Sequence, residues 1–466
     1  MARDLTPGAG APPPPGEAGL APTPWGDRVG GRGRRRLLGF VATNIGASVA
    51  FTAMYATQPV LPQIGHDFSV APTEAGLTLS SVTFALAFAS LGAGRLADRL
   101  GSRRVMLACS FALSALCYLV VIAPVFWMLV ALRALQGLMV PGITVAGLAF
   151  LHNELPARWR GRVSGFYIAA NTLGGLVGRL GVGLSVQVIG WRGGLLLVAV
   201  AATAGSVVLV LGMPRGTVRG DGERFTTEET EGTEERLERE TAEDAEDAED
   251  AEDAEGTSIR RGTWHAPGAG RRGAIGAPKP GIAQPVPLWQ IVRRVWWAPL
   301  IGGTVFFPFL SVFTYITYRL EGAPFDLPAS GASLFYLVYL FGAVASPLAG
   351  QLSDRIGRRP TILGGLVVTT AGLLVGLPNV LPLALLGLAL VCVGSLSSHA
   401  VANASVSDTA NPLGAQARAT ALALYTLGFY VGGGLGAYIP GYGWARYGWI
   451  GVVLPCVVAV ICAALV

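Results

Sequence analysis

The sequence predicts an all-α membrane protein with twelve transmembrane helices in two pseudo-symmetric six-helix bundles. Three observations predict it. Of the 466 residues, 52% are hydrophobic and only 14% charged, where a soluble domain carries about 25% charged residues. The apolar residues gather into twelve long runs, six on each side of a polar stretch near the middle. The two sides also repeat one another in register.

A membrane-crossing helix needs about 20 apolar residues. The first six runs lie at 37–62, 73–96, 104–123, 126–149, 161–188 and 192–213. The second six lie at 298–319, 331–353, 360–379, 381–403, 417–441 and 447–466. Four parts follow. Residues 1–36 form a Pro/Gly-rich cytoplasmic tail ending in Arg32, Arg34, Arg35 and Arg36, too poor in apolar residues to bury a core and expected to be disordered. Residues 37–213 form the N-terminal bundle and 294–466 the C-terminal bundle. Between them, 214–293 reads as a disordered cytoplasmic linker, acidic at first and then Gly/Pro/Arg-rich. Its Ala-Glu-Asp repeats at 242–255 leave no apolar face on a helix. An interaction tail is the functional alternative for it. The first apolar run starts too late and is too long for a signal peptide.

Arginine placement sets the orientation. The tail, the link between segments two and three, the link between four and five (Arg158, Arg160, Arg162) and the link between eight and nine are all basic. The opposite loops are poor in arginine, so both termini are expected in the cytoplasm. Trp191, Trp444, Tyr447 and Trp449 would then form an aromatic belt at the outer face.

Composition excludes several classes. The basic excess is small and lies in loops, so no nucleic-acid partner is implied. Lys279 is the only lysine and Pro280 follows it, which rules out a Walker A site and a Schiff-base lysine within the membrane. Cys109, Cys117, Cys392, Cys456 and Cys462 lie in apolar runs at spacings that match no metal or redox motif. No paired acids or nucleophile–base pair sits in a helix, so no enzyme, cofactor or metal site is expected.

One loop occurs twice. Gly94-Arg95-Leu96-Ala97-Asp98-Arg99-Leu100-Gly101-Ser102-Arg103-Arg104 joins segments two and three, and Gly350-Gln351-Leu352-Ser353-Asp354-Arg355-Ile356-Gly357-Arg358-Arg359 joins eight and nine. Asp98 and Asp354 are 256 residues apart, as are Gly94 and Gly350, Gly101 and Gly357, and Arg103 and Arg359. In segments five and eleven an offset of 258 pairs Tyr167 with Tyr425, Gly174 with Gly432, Gly175 with Gly433, and Gly178 with Gly436. The loop glycines suit tight turns. The aspartates sit where arginines can pair with them. The matched glycines form small-xxx-small faces for close helix crossings.

The pattern G-x-x-x-D-R-x-G-x-R-R between the second and third helices resembles the signature loop of the major facilitator superfamily, and so does its return between the eighth and ninth. The resemblance implies a secondary transporter whose two halves rock about a midplane site. Gly94, Asp98, Arg99, Gly101, Arg103, Arg104, Gly350, Asp354, Arg355, Gly357, Arg358 and Arg359 would then hold the cytoplasmic gate. Arg133-Ala134-Leu135-Gln136-Gly137 resembles the family's fourth-helix motif, whose arginine is associated with proton coupling. In the fifth helix, drug:proton antiporters of the family carry Gly-Pro. This chain has Asn171, Gly174, Gly175, Gly178 and Arg179 there instead. Tyr55-x-x-Gln58-Pro59-x-Leu61-Pro62 resembles the outer end of helix 1 in bacterial members of that branch.

Charges without a counterpart in the other half are the candidates for chemistry. Arg133, Arg179 and His399 lie deep in helices, opposite apolar repeat positions. A charge at mid-membrane costs about 2.5–3.5 kcal/mol on the mild insertion scale. No carboxylate lies as deep; Asp67, Glu74, Asp98, Glu321, Asp354 and Asp408 fall at rims or in loops. Arg133, Gln136, Gly137 and His399 are therefore expected to couple transport to the proton. Arg133 bonded to a neighbouring helix carbonyl, and His399 bonded to a hydroxyl such as Ser395, are the structural alternatives. Asn44, Gln58, Asn171 and Arg179 are expected to touch the solute. The expected activity is proton-linked efflux of a small organic solute by a monomer in the cytoplasmic membrane. Uptake or exchange of an organic anion is the alternative, and a non-transporting membrane sensor is the reading from another class.

Overall fold

The computed structural model describes residues 31–155, 160–213 and 286–465, all within one compact unit. The tail before residue 31, Arg158, and the linker from 214 to 285 lie outside the described residues. In chain order the helices are α1 Gly31–Tyr55, α2 Leu61–Phe68, α3 Pro72–Leu100, α4 Ser102–Val121, α5 Phe126–Glu154 and α6 Arg160–Gly212. They continue with α7 Leu288–Val295, α8 Ala298–Glu321, α9 Ala329–Leu334, α10 Tyr339–Ile356, α11 Arg358–Val375, α12 Leu381–Ala410, α13 Ala415–Tyr438, α14 Pro440–Tyr447 and α15 Trp449–Leu465.

Among the described residues nine helical runs are long and apolar enough to cross a membrane. One of them, Arg162–Gly212, holds segments five and six, joined at Gly190 with φ 69°. Arg358–Val375 and the 17-residue Trp449–Leu465 are consistent with the rest of the twelve.

Two assigned boundaries move. Helix α1 begins at Gly31, inside the stretch read as tail. Helix α7 begins inside the stretch read as linker and ends two residues into the stretch read as bundle. It buries Ile291 and Val295, one helical turn apart, and Arg294 Nε donates to Thr409 O on α12 at 2.9 Å. The surrounding Gly and Pro residues masked that short periodicity.

Two segments are broken. Segment one stops at Tyr55, passes through a 3₁₀ turn at Gln58–Val60 and resumes as α2. Pro59 and Pro62 have no N–H to continue the helical ladder. Segment eight runs as α9, a 3₁₀ turn at Phe335–Val338, then α10. The belt also changes: Trp191 is buried, and its Nε1 donates to Asp67 Oδ2 at 2.7 Å. Its place next to the kink at Gly190 turns the ring inward.

The repeat is visible in the packing. A Cβ on Gly174 would lie 2.1 Å from Ser48 O, and one on Gly178 2.4 Å from Thr52 O. In the other half a Cβ on Gly432 would lie 2.1 Å from Gly303 O, and one on Gly436 2.4 Å from Phe307 O. Helix α1 therefore crosses α6 as α8 crosses α13, at backbone contact.

Among the described residues, hydrogen bonds join the two halves toward one end only. Ser80 Oγ donates to Gly434 O at 2.7 Å, Gln63 Nε2 to Glu321 Oε2 at 2.9 Å, Gln58 Nε2 to Thr314 Oγ1 at 3.4 Å, and Ser330 Oγ to Gln187 Oε1 at 2.8 Å. This is the arginine-poor end. At the arginine-rich end Asp98 and Asp354 are exposed, and a Cβ on Gly94 or Gly350 would meet nothing.

Candidate solute site between the halves

The break after Tyr55 organises the interior. A helix leaves its last four carbonyls without helical donors. Arg133, on α5 and 1% exposed, answers them. Its Nη1 donates to Ala53 O at 2.8 Å and to Gln136 Oε1 at 2.7 Å, its Nη2 to Met54 O, and its Nε to Thr78 O on α3 at 3.0 Å. A cation at a helix C-terminus is also favoured by the helix dipole. Gln136 passes the network on, donating to Cys117 Sγ at 3.3 Å. Gly137 sits where a Cβ would meet Val82 O at 2.3 Å, so it lets α5 cross α3. The three motif residues thus share one helix junction. His399 stands apart from them, on α12.

Arg179, on α6 and also 1% exposed, is held differently. Its Nε donates to Gln58 Oε1 at 2.6 Å and its Nη1 to Gly175 O at 2.9 Å. Its Nη2 is buried without a partner. The guanidinium lies 3.8 Å from the ring centre of Tyr55, 4.4 Å from that of Tyr339 and 5.6 Å from that of Tyr336. Tyr55 comes from the N-terminal half; Tyr336 and Tyr339 come from the 3₁₀ turn and first turn of α10 in the C-terminal half. The Tyr336 hydroxyl donates to Phe313 O at 3.1 Å, whereas the buried Tyr339 hydroxyl has no partner. An unspent guanidinium –NH₂ and an unspent phenol share an aromatic box between the halves. Such a box can recognise an anion by charge-assisted bonds and a flat apolar body by its rings.

The other expected residues are dispersed. Gln58 belongs to the box. Asn44 donates to Phe40 O at 2.8 Å, within its own helix, and the buried Asn171 Oδ1 has no partner. His399 Nδ1 is 2.9 Å from the Tyr425 hydroxyl, and its ring lies 4.2 Å from Phe429. The hydroxyl partner is Tyr425 rather than Ser395, because α13 presents its tyrosine to the ring.

The loop aspartates are not ion-paired among the described residues. Gly101 and Gly357, at φ 87° and 94°, turn the chain between each aspartate and the arginines that follow it. Arg103 Nε donates to Met213 O at 3.4 Å, and Arg358 pairs with Asp408 at 2.6 Å. Gly94 and Gly350 mark open space in this conformer. Arg99, Arg104, Arg355 and Arg359 are exposed beside them.

The family model of the Major Facilitator Superfamily matches residues 43–344 and 322–466. The chain belongs to the Major Facilitator Superfamily. It is 26% identical over 403 residues to the uncharacterized MFS-type transporter YybF of Bacillus subtilis, covering 86% of each chain. It is 26% identical over 409 residues to the inner membrane transport protein YnfM of Escherichia coli, covering 86% of this chain and 83% of that one. The fold matches the crystal structure of a bacterial homolog of the human lysosomal transporter Spinster, in an inward-facing and unoccupied conformation, with a TM-score of 0.64. That match has 15% identity and covers 92% of this chain and 95% of the other. As a member of the superfamily the chain is a membrane transporter and not an enzyme.

Sequence reading missed Tyr336 and Tyr339. They sit in an apolar run whose 3₁₀ turn no proline announces. It also singled out neither Arg319 nor Arg192.

Proposed function

We propose that this chain is a secondary active transporter of the cytoplasmic membrane that moves a small organic solute bearing an anionic group, by alternating access. The observation that carries the reading is Arg179 Nη2, buried and unpartnered between tyrosines of both halves. An unspent buried donor costs about 1–3 kcal/mol, which a carboxylate or phosphate would recover. The halves close on Arg179 at the arginine-poor end, so a rocking motion that parts them there would open the box to the outside. Positive-inside arginine placement puts both termini in the cytoplasm. We assign proton-linked efflux as the direction; that assignment rests on the fourth-helix motif alone.

The test is thermal stabilisation of purified protein by matched pairs of carboxylates and their neutral amides, because a ligand of the folded state raises apparent stability. Wild type should respond to the acids and not to the amides. Arg179→Met should lose the response while keeping its unliganded melting temperature within a few degrees. Equal responses to acid and amide would refute the anion site. Counterflow in proteoliposomes decides between transporter and sensor, since a sensor binds without exchanging solute.

A further inference from the structure

Glu321 ends α8 at the arginine-poor end and faces the other half. Gln63 on α2 donates its Nε2–H to Glu321 Oε2 at 2.9 Å. Beside that bond, Glu321 Oε1 and Gln63 Oε1 are both buried without a partner. With the carboxyl ionised, both are acceptors, and neither can satisfy the other. A proton on Glu321 Oε1 supplies the missing donor. An amide and a carboxylic acid can then form two bonds in one ring, N–H to one carboxyl oxygen and O–H to the amide oxygen. We propose that Glu321 and Gln63 form a proton-binding site shared by the two halves, and that the bound proton latches the arginine-poor end shut.

The surroundings leave this role to Glu321. Among the described residues no cation is ion-paired with it. Arg319, on the same helix, gives its terminal nitrogens to Gly376 O, Leu377 O, Pro378 O and Asn379 Oδ1. The Tyr318 hydroxyl is unpartnered and lies toward Gly65 of α2. Asp67, on α2, is bonded to Trp191, and His66 lines the same cavity. Tyr336, on the turn before α10, gives its hydroxyl to Phe313 O. Asp326, in the loop after α8, is exposed. A cavity of about 400 Å³ lined by Gln63, His66, Asp67, Val186, Trp191 and Glu321 gives the proton a route from water at this end.

The inference rests on the alternating-access reading, since a latch matters only if this end opens. The experiment is a distance measurement by pulsed electron paramagnetic resonance. Spin labels replace the exposed Ile122 and Val380, in the loops after α4 and α11, in protein whose five cysteines have been substituted. Acidifying from about pH 8 to about pH 4, which spans the raised range of a buried carboxyl and the ordinary value of about 4.3, should shift wild type toward the short, closed distance. A change of about tenfold in the closed-to-open ratio is expected, the order one net hydrogen bond supplies. Glu321→Gln carries a carboxamide that can donate and accept, so it should hold the closed distance at both pH values. Glu321→Ala should favour the open distance and lose the pH response. His66→Gln should keep it. A wild-type distance indifferent to pH, a Glu321→Gln variant that still responds, or a response abolished by His66→Gln would each overturn the proposal. Counterflow judges the transport reading separately: wild type that exchanges solute without a pH-dependent distance loses only the latch.

Discussion

Replacing Arg133 by Met is expected to cost stability before it costs transport. The side chain makes four N–H···O bonds, reaching Ala53, Met54, Thr78 and Gln136. On the membrane scale of about 0.6 kcal/mol per side-chain bond, their loss costs about 2.4 kcal/mol. Counting instead the acceptors left stranded gives a similar figure. The carbonyls of Ala53 and Met54, in the last turn of α1, and the Gln136 amide oxygen would be orphaned at about 1 kcal/mol each, or about 3 kcal/mol together. Methionine roughly conserves the apolar volume, so a cavity adds little. Arg133→Lys should recover less than half, because a single ammonium cannot span carbonyls on two helices as a planar fork does. The assay is unfolding of purified protein in mixed micelles with increasing sodium dodecyl sulfate, followed by tryptophan fluorescence. A loss below about 0.5 kcal/mol for Arg133→Met would refute the capping argument, being under the value of one such bond. If that small loss came with abolished response to a pH gradient, Arg133 would be a coupling group without a capping role.

His399→Gln is expected to retain pH-gradient-driven flux, since the ring is bonded to a neutral hydroxyl and stacked on Phe429; flux indifferent to the gradient in this variant would return the coupling role to His399. Asp98→Asn should leave the unfolding midpoint unchanged, because the carboxylate is exposed and not ion-paired in this conformer. It should nonetheless slow counterflow several-fold, because closing the arginine-rich end would bring the loop against the other half. A lowered midpoint, or full exchange rates in correctly inserted protein, would count against that.

Much of the fold was legible because a membrane leaves few alternatives. Twelve apolar runs can satisfy their backbone only as helices. The 256-residue and 258-residue offsets already announced two copies of one design. Two of the glycine pairs named from those offsets, Gly174 with Gly432 and Gly178 with Gly436, lie at backbone contact against α1 and α8. The interior site was only half legible. Arg133 and Arg179 look alike in sequence, each a lone cation in an apolar helix. What separates them is the break after Tyr55, whose carbonyls Arg133 reaches and Arg179 does not. Tyr336 and Tyr339 could not be singled out, since their value comes from facing Arg179 across the junction. Glu321 was read as a rim acid from its place at a helix end. It is half-buried and bonded to Gln63, which belongs to the other half.

The absence of a repeat partner is therefore a weak sign of function, and four arginines show why. Trp191 and Trp449 are 258 residues apart. Arg192 stacks on Trp191 at 4.4 Å and gives its Nη1 to the carbonyls of Val121 and Ala123, where α4 ends. Arg319 stacks on Trp449 at 4.6 Å and gives its terminal nitrogens to the carbonyls where α11 ends. The two halves use one device, a guanidinium that closes a helix end while resting on tryptophan. Yet the arginines come from different helices and match at neither offset. Helix ends need donors, and whichever nearby helix can extend a fork supplies them. Arg133 belongs with this pair by its partners. Arg319 leaves only its single Nε–H unbonded, at the rim. Arg179 leaves a whole terminal –NH₂ unbonded, between the halves, beside a phenol that is unbonded as well. An interior donor and phenol left unsatisfied side by side, on facing halves, are what the proposed solute would bond on arrival and release on departure.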